Sequence, residues 1–150
     1  MLINLLSGLT VMVTCLMLQS VLVVAALRYY AHRQTLVNQA FFWPTMRVVS
    51  SVMLILVAGN IAQVLIWALL YRFLGEFAVF GDAVYHSAVN FTTLGYGDIV
   101  MSEQHRLLGP LEAINGVLMI GVSTAALMAA FQDSMKKTFF ARRRKPGPDS

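Results

Sequence analysis

Thr92-Thr93-Leu94-Gly95-Tyr96-Gly97-Asp98 is the stretch on which the reading of this chain turns. It lies between two long apolar segments and is far too short to cross a bilayer itself. Gly95 and Gly97 alternate with larger residues, after paired threonines and before an aspartate. L-residues resist positive φ, so a backbone that turns successive carbonyl oxygens toward one line needs glycine at intervals. Four such stretches around an axis would stack rings of oxygens able to replace the water shell of a dehydrated cation.

Composition sets the frame around that stretch. The 150 residues make one domain at most. The chain is 58% hydrophobic and 12% charged, with a mean hydropathy of +0.70. A soluble domain carries about twice that share of charge. Uncharged runs of about 18 residues or more read as membrane spans, so the expected class is an all-α integral membrane protein. Cys15 is the single cysteine, which excludes a disulfide framework within the chain. The net charge of +4 sits at the ends of the apolar runs, which points to membrane topology rather than nucleic acid.

Residues 1–27 carry no charge, and a helix over Leu2–Leu27 would be about 39 Å long, enough to span with tilt. A signal peptide fits less well, because no Lys or Arg precedes a run longer than the usual apolar region. Ser7, Thr10, Thr14 and Gln19 are expected at contacts with other helices. Residues 28–47, with Arg28, His32, Arg33 and Arg47, read as a short connection on the membrane surface. Pro44 opens the next helix, and Phe41-Phe42-Trp43 suits a headgroup-level position. An outer helix is expected over 48–71, with Trp67 and Tyr71 at its far interface. Asn60 and Gln63 near its middle imply hydrogen bonding between helices, or a contact that moves when a pore gates.

Asp82 is a good N-cap for a short helix over 82–92. At about 15 Å its helical part enters the bilayer and cannot cross it. Such a re-entrant piece is tolerated only where protein or water covers its backbone, and its carboxyl end favours a cation. The filter stretch, 93–98, follows at once. An inner helix is expected over 107–131, punctuated by Glu112, Asn115, Gly116, Gly121 and Thr124. Residues 132–150 form a basic tail. Its Lys136, Lys137, Arg142, Arg143, Arg144 and Lys145 would each gain about 1 kcal/mol beside anionic lipid.

The charges test this layout without the filter. With 28–47 in the cytoplasm, the tail lies inside and the filter outside. Of the 11 lysines and arginines, all but Arg72 and Arg106 then fall inside. Glu76, Asp82, Asp98, Glu103 and Glu112 fall at or near the outside. This obeys the positive-inside rule and places the amino terminus outside.

Thr93-Leu94-Gly95-Tyr96-Gly97-Asp98, set between two spans, resembles the signature of the pore-loop potassium channels, with Leu94 in the slot usually held by Val, Ile or Leu. The resemblance covers about residues 48–131 and makes 1–27 an extra transmembrane helix. It implies K+ sites built from the carbonyls of Thr93, Leu94, Gly95 and Tyr96, with the Thr93 hydroxyl closing the innermost one and Gly97 and Asp98 completing the filter. It implies a homotetramer, since a single strand cannot ring an ion, and no cofactor beyond K+ in the filter. The inner helix would line the pore. Val117, Ile120 and Thr124 share one face at i, i+3 and i+7 and are the expected cavity lining. Gly116 and Gly121 are either bending points of a gate or sites of close helix packing.

The same resemblance addresses how the filter is backed by His86, Val89 and Thr92. His86 stands where many relatives carry a large aromatic residue facing the filter tyrosine, so a Tyr96–His86 hydrogen bond is expected, beside the plainer reading that His86 faces headgroups or water. Val89 stands where some relatives have a glutamate near the filter aspartate, so the acid pair with Asp98 cannot form. His105 reads as a solvated loop residue. The first helix lacks the spaced arginines of a voltage sensor. No catalytic constellation is visible. A small chain of this kind suggests a bacterial plasma (inner) membrane. Two other classes stay open: a pore-loop transporter, which needs four loops in one chain, and a non-conducting or partner-dependent subunit.

Overall fold

The structure is a computed structural model that describes residues 2–33 and 42–143. Four helices follow in order: α1 (Leu2–His32), α2 (Phe42–Phe73), α3 (Phe80–Phe91) and α4 (Leu108–Arg143). Lipid offers the backbone no partner, so long apolar runs satisfy their N–H and C=O groups as helix. Three stretches are long and apolar enough to span: Asn4–His32, Met46–Phe73 and Leu108–Lys136. The chain is an all-helical, multi-pass membrane protein, with α3 as the short element between the second and third spans. At 12 residues, α3 is about 18 Å long against a hydrocarbon core of about 30 Å.

The long helices run past their expected ends. α1 continues through Arg28 to His32, and α2 already includes Arg47, so the connection is shorter than 28–47. Residues 34–41, Phe41 among them, lie outside the described residues, while Trp43 is exposed in the first turn of α2. α4 passes residue 131 and continues to Arg143. No glycine or proline interrupts the chain from Val122 to Lys145, so nothing stops the helix where the hydropathy falls. Of the expected lipid-binding residues, Lys136 is exposed on α4, whereas Arg144 and Lys145 lie outside the described residues.

The chain forms two compact units. The first combines residues 1–20 with 58–121, around Cys15, Trp67, Ala68, Tyr71, Phe77, Ala83 and Leu108. The second combines residues 21–57 with those from 122 onward, around Ala26, Tyr30, Val48, Val52, Leu56, Ala126 and Ala130. In it Tyr30 Oη donates to Asp133 Oδ2 at 2.9 Å.

α1 is a docked helix. Its buried residues, Asn4, Gly8, Cys15, Gln19, Ala26 and Tyr30, recur at intervals of four and seven and therefore form one stripe. Gly8 marks a close approach, where an added Cβ would lie 2.8 and 2.9 Å from the Leu108 and Leu111 side chains. Gln63 Nε2 donates to Gln19 Oε1 at 2.8 Å, and Asn115 Nδ2 reaches Gln63 Oε1 at 3.4 Å. Two expectations need correcting. Ser7, Thr10 and Thr14 donate to the carbonyls of Asn4, Leu6 and Thr10 in their own helix, which satisfies them without another helix. Trp67 and Tyr71 are fully buried rather than interfacial. Tyr71 packs edge-on against Phe77 and His86, with centroids at 6.4 and 5.5 Å.

Candidate functional site, the filter loop and its backing

The short helix begins at Phe80, after an N-cap at Val79 that makes no side-chain bond. Asp82 is therefore not the cap. It sits inside the first turn, where its charge still complements the helix dipole. The other end carries more design. Thr93 N–H donates to Asn90 O at 2.9 Å, and Leu94 N–H to Val89 O at 2.9 Å. With Thr92 as the C-cap, these are the two bonds of a Schellman ending. The residue just past the cap takes positive φ and is usually glycine; here it is Thr93, at φ 61°. Thr92 Oγ1 closes on Ala88 O at 2.7 Å. The candidate filter loop thus starts as the cap of α3.

Beyond the cap the sign of φ alternates. Thr93, Gly95 and Gly97 have φ of 61°, 57° and 73°, whereas Leu94 and Tyr96 stay on the negative side. Alternation between the two hands turns successive peptide groups the same way, as it does in anion-binding nests, where the N–H groups converge. Here the N–H groups of Thr93, Leu94 and Gly95 point back to α3. Among the described residues no backbone hydrogen bond ends on the carbonyls of Thr93, Leu94, Gly95 or Tyr96. Residues 92–98 are all exposed on the single chain.

The backing differs from expectation. His86 is buried, with Nδ1 3.0 Å from Ile99 O and Nε2 2.8 Å from Asn90 Nδ2. A carbonyl only accepts and an amide nitrogen only donates, so Nδ1 carries the proton and Nε2 accepts. Both ring nitrogens are used, which removes the expected Tyr96–His86 bond; Tyr96 is instead 66% exposed. Burial foremost, only partly offset by the Ile99 carbonyl, holds the His86 pKa below its ordinary value. Asp98 is held from Tyr85, whose hydroxyl donates to Oδ2 at 2.7 Å. That bond lowers the Asp98 pKa and raises that of Tyr85. Val89 contributes its carbonyl, while its side chain is buried.

In the loop before α4, His105 is buried rather than solvated, and its Nδ1 meets Glu76 Oε1. Glu76 also accepts from Ser102 N–H at 2.7 Å and Ser102 Oγ at 2.6 Å. Burial opposes ionisation of Glu76, but the Ser102 and His105 bonds outweigh it and lower the pKa.

Behind α3 lies a buried acid of α4. Glu112, expected at or near the outside, is fully buried. Tyr71 Oη lies 2.5 Å from its Oε2, and Ser87 Oγ of the pore helix meets its Oε1. A lone acid within an apolar helix is the one sequence signal that could have found it. Along α4, Gly116 packs against the end of α3, where an added Cβ would fall 1.9 Å from Phe91 O, whereas Gly121 has nothing within 4 Å. Val117 and Ile120 are 58% and 41% exposed, and Thr124 is exposed with them.

A family model described as "Ion channel" matches residues 59–133, which takes in the C-terminal part of α2, the whole of α3, the loop after it and most of α4. No curated protein and no solved structure matches the chain.

Proposed function

The chain belongs to the ion-channel family, and from that premise we propose that it is a passive, potassium-selective channel working as a homotetramer in the plasma (inner) membrane, with its amino terminus outside. Each chain supplies one filter strand. The Thr93, Leu94, Gly95 and Tyr96 carbonyls offset the dehydration of K+, and neighbouring ions displace one another along the axis. Thr93 adds its hydroxyl at the inner end, and Asp98, held by Tyr85, sits at the outer mouth. Val117, Ile120 and Thr124 line the cavity below. The reading rests above all on one observation: φ is positive at Thr93, Gly95 and Gly97 and not at the residues between them.

Purified protein in planar bilayers tests it. The current should reverse at the K+ equilibrium potential under a K+ gradient with Na+ opposite. Equal Na+ and K+ permeability overturns the selectivity, and flux coupled to a second ion favours a transporter. A species other than four chains in native mass spectrometry overturns the tetramer.

A further inference from the structure

Three short oxygen–oxygen contacts run in line through the packing behind the pore helix. Tyr71 Oη of α2 lies 2.5 Å from Glu112 Oε2. Glu112 Oε1 meets Ser87 Oγ of α3. The same Ser87 Oγ lies 2.8 Å from the Val64 carbonyl of α2. Each contact needs one proton between its oxygens, because two acceptors at that distance repel. Tyr71 and Ser87 bring one proton each, and the Val64 carbonyl brings none. An ionised Glu112 also brings none, which leaves three contacts for two protons.

We propose that Glu112 is carried as a neutral carboxylic acid whose proton pins the pore helix to its neighbours, making Glu112 a positioning residue for the filter. The donations then run in one direction: Tyr71 Oη–H to Oε2, Oε1–H to Ser87 Oγ, and Ser87 Oγ–H to Val64 O. Every short contact holds a proton, and no charge is buried. The titratable groups around Glu112 fit a neutral acid. They are Tyr71 from α2, Cys15 from α1 and, through the Tyr71 ring, His86 from α3. Asn90 of α3 is a neutral neighbour. Among the described residues no lysine or arginine pairs with it.

The contact bears on the filter through its position. Ser87 lies one turn before Phe91, and Glu112 one turn before Gly116. The Glu112–Ser87 and Gly116–Phe91 contacts are therefore successive rungs between the same two helices. Loss of the proton would place a charge at the first rung and draw the Ser87 proton away from Val64. The helix end that carries the Thr93 cap would loosen.

Infrared spectroscopy of the full-length protein tests the protonation directly. A carboxylic-acid C=O band, shifted in D2O, is expected at neutral pH and should vanish in Glu112→Gln. Absence of that band in the wild type overturns the proposal. Ser87→Ala, which removes the acceptor of the Glu112 proton, should move the band to higher frequency, and an unmoved band refutes the assignment to Oε1. Neither measurement uses ion flux, so they can fail independently of the channel reading on which the filter role rests. Where current is measured, wild type should lose it as pH rises through the alkaline range. Glu112→Gln should retain neutral-pH current and lack that fall, because its amide donates to Ser87 and its oxygen accepts from Tyr71. Loss of neutral-pH current in a folded Glu112→Gln, or an alkaline fall like that of wild type, overturns the positioning role.

Discussion

Thr93 is the residue at which α3 gives way to the proposed filter strand. A β-branched side chain at φ 61° costs roughly 1–2 kcal/mol, offset by the two capping bonds that its position and the next close. At Gly95 nothing lies within 4 Å of an added Cβ, so Gly95→Ala meets a backbone obstacle rather than a steric one within the chain. It should cost roughly 1–2 kcal/mol in each subunit and abolish the preference for K+ over Na+; an unchanged reversal potential would show that the alternation does not hold the filter. His86 gives a prediction of opposite character. Its pKa is lowered, chiefly by burial, so below about 6.5 the unfolded chain binds a proton that the folded chain refuses. Stability is full above that pH and falls progressively as pH drops toward the folded pKa. Denaturation midpoints should decline over that acid window, and His86→Phe should flatten the decline. The glycine pattern is legible in the sequence because conformation is local to it. The partners of His86 and Asp98 are not, because a carbonyl such as that of Ile99, 13 residues away, carries no side-chain signature.

At the scale of elements, hydropathy locates the spans but not their ends. A helix stops where its backbone is capped or broken, and neither Leu27 nor Phe131 marks such a place. Hydropathy also could not separate a lipid-facing aromatic from a packed one, which is why Trp67 and Tyr71 were misplaced. The glycines of α4 separate in the same way. Gly116→Ala would drive a Cβ to 1.9 Å from the Phe91 carbonyl, against backbone that anchors the filter. It should destabilise by about 1–3 kcal/mol, and K+ current should fall with it. Gly121→Ala meets nothing in the chain and gains up to about 1 kcal/mol of helix propensity. Its thermal midpoint should hold or rise, so a change in open probability without one would identify Gly121 as a bending point. A fall in midpoint as large as that at Gly116 would contradict this distinction.

At the scale of the whole molecule, the exposed surface of one chain argues for what completes it. Leu94 and Tyr96 are 56% and 66% exposed, and the carbonyls between them have no partner in the described chain. An ion bound by four such strands binds the assembly and not the separated subunits. On the proposed reading, linkage requires K+ to stabilise a tetramer by RT ln(1 + [K+]/Kd), about 2.7 kcal/mol at a hundredfold excess over Kd for one site. Thermal dissociation of the purified tetramer should shift upward when K+ replaces Na+ at equal ionic strength, which holds screening constant. Gly95→Ala should remove the difference between the two ions while leaving the subunits helical by circular dichroism. Lys136 and its basic neighbours respond to ionic strength alike in both salts, so they cannot produce an ion-specific shift. A dissociation temperature indifferent to the choice of cation would mean that these carbonyls do not form the binding site.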